Sequence, residues 1–157
     1  MFTRCIWSIT LLAWVLMLSP SGTARAAGDD GIVRIKSAYS MPETTKRLKK
    51  DVADKGIMLF AAIDQAKLAG EAGIELRPST LLLFGNPALG SQFVTSNQLA
   101  GIDWPVRLLV TQDQAGEVWA VYNDFEFIAR RHGIADRPEA FAKASGVIQS
   151  IASSVRP

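Results

Sequence analysis

The sequence predicts an α+β fold: a single compact domain whose central, mostly antiparallel or mixed sheet of about four to five strands is packed by helices. Three observations carry that prediction. Short apolar runs such as "IMLFAAI" and "STLLLFGN" have the length and composition of strands. Between them lie stretches with helical spacing, opened by Ser, Asn, Asp or Pro and closed by Gly. The chain also shows no internal repeat, linker or low-complexity tract.

The first residues are excluded from the fold. Arg4 supplies a positive charge, Cys5 to Leu18 is an uncharged apolar block, and Ala24-Arg25-Ala26 has the small-x-small pattern of a signal-peptidase site. Residues 1–26 therefore read as a cleaved signal peptide and residues 27–157 as one domain, placing the protein in the periplasm or outside the cell. The apolar block is shorter than the ~20 residues of a spanning helix. A membrane contact is expected only if the signal segment stays uncleaved.

Of the 17 basic residues, Arg4 and Arg25 leave with the signal, so the remaining 15 face 15 acidic residues. A near-neutral domain lacks the basic footprint of a nucleic-acid binder. The only cysteine, Cys5, is also lost. That excludes a disulfide, a thiol nucleophile and a thiolate metal site in the domain.

Along the chain, Gly31 to Ala38 predicts a strand with one wetter side. A helix follows from Ser40 to the stop at Gly56, with Leu48 and Val52 on its buried stripe and a solvated basic face. Ile57 to Ile63 predicts a largely buried strand, and Asp64 caps a short alanine-rich helix that ends at Gly73. Ile74 to Leu76 adds a short extended piece. Leu81 to Phe84 offers no polar face, which predicts a central strand covered on both sides. Gly85 permits a tight exit, Asn86 caps, and Pro87 opens a helix with Leu89, Phe93 and Val94 inward. "VRLLVTQ" and "EVWAVYN" form two strands joined by "DQAG". The strand-to-helix handover then recurs, with Asn123 or Asp124 as cap, Glu126 in the first turn and Gly133 as stop. Pro138 opens a last helix in which Phe141, Ala144, Ile148, Ile151 and Val155 keep helical spacing.

Together, "GIELRPSTLLLFGNPALG", "DWPVRLLVTQD", "GEVWAVYND" and "RRHGI" resemble the domain of unknown function 302 family. The likeness runs from about Gly31 through Ile134 and implies a small α/β domain built on a sheet, with no particular reaction. Members of that family often carry an Asp-His pair at the start of the alanine-rich helix, where this chain has Asp64-Gln65. A family role needing an imidazole there does not carry over, because glutamine neither titrates nor readily binds a transition metal.

The residues themselves offer one constellation. If the strands ending at Phe84 and Tyr122 run the same way, two capped helices open on one sheet edge near Asn86 and Asn123. Helix N-termini there favour an anion, and Arg77 and Arg107 could add fixed charge. The competing reading is that the caps serve their own helices and the arginines pair with local acids. Trp119 is expected in the core, whereas Trp104, in a loop beside Pro105, suits a core or a pocket-lining role. His132, the sole imidazole, could pair with Asp124 or Asp136 for base catalysis, but its place at a helix end before Gly133 suits a cap. No phosphate loop, dinucleotide fingerprint or zinc-protease helix is present, so no cofactor or metal is expected. The sequence thus favours a non-enzymatic binding module for a small anionic or amphipathic ligand. A homodimeric assembly domain and a His132-dependent enzyme are the alternatives. Export is directly testable: the protein recovered from its own host should begin at Ala27 by N-terminal sequencing, and an intact Met1 would refute cleavage.

Overall fold

The computed structural model describes residues 30–156, so the signal segment expected at 1–26 lies outside the described residues. The elements follow one another as β1 (Ile32–Lys36), α1 (Met41–Asp54), β2 (Met58–Asp64), α2 (Gln65–Glu71), β3 (Ser79–Gly85) and α3 (Pro87–Ser96). A 3-10 turn (Gln98–Ile102), β4 (Val106–Gln112), β5 (Val118–Asn123), α4 (Phe125–Arg131) and α5 (Pro138–Ser153) complete the chain. The five strands form one sheet in the order β1-β5-β4-β3-β2, every neighbouring pair antiparallel. The α+β expectation holds, and the sheet is antiparallel throughout.

Successive side chains of a strand point to opposite faces, and here that alternation sorts the sheet into a dry side and a half-wet side. Ile35, Leu82, Phe84, Leu108, Val110, Val118, Ala120 and Tyr122 share one face and are buried. Onto that face pack Leu48 and Val52 of α1, Phe93 of α3, Phe125 and Ile128 of α4, and Phe141, Ala144, Ile148 and Ile151 of α5. Phe93 lies 4.3 Å from Phe141 and 6.0 Å from Phe125 between ring centroids, which closes the core beneath α3. The hydroxyls of Ser37 and Thr44, both buried, are 2.6 Å apart, and Thr44 also donates to the Tyr39 carbonyl. No buried side-chain donor or acceptor among the described residues is left without a partner.

Three expectations are corrected. Leu81 and Leu83 remain partly exposed, so β3 is covered fully on one face only, and β4 is the middle strand of the sheet. An apolar run signals burial without saying how many layers provide it. β2 is not a buried strand: it forms the sheet edge, with Met58, Leu59 and Phe60 exposed and a register shift between Leu59 and Ala61. Trp119 is not core, because Val118 and Ala120 take the buried phase on either side of it. Its indole N–H instead donates to Asp113 across the β4–β5 hairpin at 2.8 Å. That bond is the chief reason the Asp113 carboxyl is held below the usual carboxylate range. Ile74 to Leu76 adds no strand.

Most helix ends follow their sequence signals. Asp64 accepts from the Lys67 amide, Gly56, Gly73 and Gly133 adopt positive φ after α1, α2 and α4, and Pro42, Pro87 and Pro138 occupy first turns. With Leu108 fully buried in the middle strand, Leu108→Ala should cost about 3 kcal/mol in denaturant unfolding.

Candidate functional site

β3 and β5 are each antiparallel to β4, so they run in the same direction and finish at the same end of the sheet. With one strand between them, their ends are about 10 Å apart. Both handovers, Gly85 into α3 and Asn123 into α4, therefore open on one rim. At each terminus one first-turn donor is taken by the cap side chain. Asn86 Oδ1 accepts from the Leu89 amide at 3.2 Å, and the Asn86 carbonyl accepts from Gly90 at 2.9 Å. At α4 the cap is Asp124, whose Oδ2 accepts from the Phe127 amide at 3.2 Å. A carboxylate at that position would repel an anion rather than attract it.

The concavity at this rim is a cleft of about 800 Å³ between the end of β3, α3 and α5. Its walls are mostly apolar, from Phe84, Leu89, Phe93, Trp104, Ala144 and Val147, with Asn86, Lys55, Lys143 and Glu139 contributing polar groups. The fold makes the cleft by leaving room for one indole. A Cβ on Gly90 would stand 1.8 Å from Trp104 Nε1, and one on Gly85 would stand 3.2 Å from it, so these two glycines form the seat of the ring. Phe60 of the edge strand braces the indole from another side, edge-on at 5.7 Å. Trp104 lines the cleft, and its indole N–H meets no acceptor among the described residues. Lys55 is held by Asp51 at 2.7 Å.

One residue earlier, the chain builds a different arrangement. The Asp103 carboxylate is 4 % exposed and lies 2.6 Å from His132 Nε2, whose side chain is 8 % exposed. Arg131 Nη1 approaches the same carboxylate at 3.3 Å and Arg107 Nη1 at 3.8 Å. The Asn97 amide donates to the His132 carbonyl at 2.8 Å, tying the 3-10 turn to the end of α4. His132 is the C-cap residue of α4 and is committed to Asp103, not to Asp124 or Asp136. Asp124 is a helix cap, and Asp136 is taken by Ser96 and Arg137.

The four residues singled out from sequence are dispersed. Asn86 lines the cleft. Arg77 lies before β3, at the far end of the sheet from Asn86, where its Nε donates to the Gln112 carbonyl at 3.2 Å. Arg107 and Asn123 do come together, since the register pairing Leu108 with Tyr122 places Arg107 beside Asn123 on the partly exposed face. Neither lines the cleft. Trp104 and Lys143 complete the cleft and were not marked together in sequence, because only the return of α5 across the sheet brings them close. The glycine at 90, an interruption inside a helix, was the one local sign that something large needed the space.

Comparison with known proteins accords with this architecture. The profile of the family described as domain of unknown function DUF302 matches residues 33–151. A solved structure of an uncharacterised conserved DUF302 protein from Bacillus stearothermophilus superposes with a TM-score of 0.73 at 18% identity, covering 80% of this chain and 98% of that one. Among curated relatives, proteins from Brucella suis and Brucella abortus, each described as fluoride-specific ion channel FluC 1, are 34% identical over 116 residues. That segment is 74% of this chain but 46% and 43% of those relatives, so the chain spans less than half of their length.

The tight seat of Trp104 gives a direct test of the cleft geometry. Gly90→Ala should displace the indole and cost about 2 kcal/mol of stability, read by denaturant unfolding together with a change in tryptophan fluorescence.

Proposed function

This chain belongs to the DUF302 family, and from that premise we propose that it is a non-enzymatic module that binds a small amphipathic anion in the cleft between α3 and α5. The observation that carries the reading is an apolar cleft whose wall includes Trp104, an indole whose N–H meets no acceptor among the described residues. An apolar pocket with a few convergent polar groups suits a ligand that is mostly hydrocarbon and polar at one end. Leu89, Phe93 and Val147 would take the hydrocarbon, while the Trp104 N–H, the Asn86 amide and Lys143 would take the charged end. In this version the polar groups of the cleft wall take the charged end, and the paired helix N-termini are not invoked.

Two other readings have support of their own. The Brucella relatives are described as fluoride-specific ion channels and extend well beyond the shared segment. No helix among the described residues is long and apolar enough to cross a membrane. The role suggested by that likeness is an accessory domain beside a membrane protein. Self-association is favoured by the exposed Met58, Leu59 and Phe60 of the edge strand, and a dimeric mass in sedimentation would support it.

The binding reading is tested by thermal unfolding with medium-chain carboxylates and alkyl phosphates. Saturating ligand should raise Tm by about 5 °C. Trp104→Phe, which keeps an aromatic ring in the seat and removes the donor, should diminish the shift. No shift across the panel would leave the cleft without a ligand of this class.

A further inference from the structure

The arginines around Asp103 stand apart from the cleft, and we propose that Arg107 and Arg131 form a second binding site, for a small phosphate-class oxyanion. Charge is the first argument. One buried carboxylate, Asp103, faces two permanent guanidinium charges as well as the His132 ring, so positive charge remains after every pairing is made. Geometry is the second. His132 takes the closest position on Asp103, at 2.6 Å, and Arg131 approaches through Nη1 alone. Arg107 stands 3.8 Å away, too far for a hydrogen bond. Each guanidinium carries five N–H donors, and most of those on Arg107 and Arg131 meet no acceptor among the described residues.

Access is the third. The Arg107 and Arg131 side chains are 41% and 49% exposed, in contrast to the carboxylate between them. Their Nη1 atoms both lie near Asp103 Oδ1, at 3.8 and 3.3 Å, so they cannot be farther apart than those two distances laid end to end. A tetrahedral oxyanion can bridge such a span, accepting from each fork at about 2.8 Å. Asn123, beside Arg107 on the same face of the sheet, adds a side-chain amide at the rim of the site. Asp103 would then work as a brace: it holds Arg131 by one nitrogen and keeps Arg107 close by charge, leaving their remaining donors free for the anion.

The test is an NMR titration of the protein as purified from its host with inorganic phosphate, ionic strength being held constant with chloride. Saturable shifts are expected at the Arg107 and Arg131 Nε–H and Asn123 amide resonances. Arg107→Gln should weaken binding about tenfold. Arg107→Lys, which keeps the charge and loses the fork, should fall between it and the parent. Arg34→Gln, on the same face but paired with Asp30, should leave affinity unchanged. The proposal is overturned if chloride alone produces the shifts, or if Arg34→Gln weakens binding as much as Arg107→Gln. Binding to phosphatidic acid vesicles without any response to inorganic phosphate would overturn it as well.

Discussion

The molecule depends on the alternation of side chains in β3, β4 and β5, because a single-layer sheet covered by helices on one face has only one dry side to fill. Leu82, Phe84, Leu108, Val110, Ala120 and Tyr122 all point into it, and a slip of one residue in β4 or β5 would send Arg107 or Asn123 inward instead. Burying an unpaired guanidinium is far costlier than exposing a leucine, so the register is held by what must stay out as much as by what must go in. The half-covered face, with Leu81, Leu83, Leu109 and Val121, is the tolerated remainder.

The segment Asp103-Trp104-Pro105 enters β4 exactly where that division between faces begins, and its two side chains go to different places. Asp103 turns to the arginines and His132, while Trp104 turns to the glycine seat under α3. Adjacent residues thus anchor a polar cluster and an apolar wall. A single peptide unit separates the two anchors.

Much of the fold was legible before any coordinates. Helix ends announced themselves through Asp64, Asn86, Gly56, Gly73 and Gly133, since capping and left-handed stops are local physics. Strand positions were legible and strand neighbours were not. "IMLFAAI" reads identically whether it is sandwiched or at an edge, because apolar composition records a preference, and the layers that satisfy it come from elsewhere in the chain. The site was harder still. Asp103 and His132 are 29 residues apart and meet only because the 3-10 turn folds back against α4. Arg77 looked equivalent to Arg107 as a flanking arginine, and strand direction alone separates them by the length of β3.

The register shift between Leu59 and Ala61 has a bearing on how the protein survives at high concentration. An edge carrying Met58, Leu59 and Phe60 is sticky, and a straight edge of that composition would template the addition of one chain after another. Here the extra residue kinks the ladder partway along and turns Phe60 toward its own Trp104. A visiting strand would find only a few evenly spaced groups before the spacing fails, a geometry that works against strand-by-strand addition.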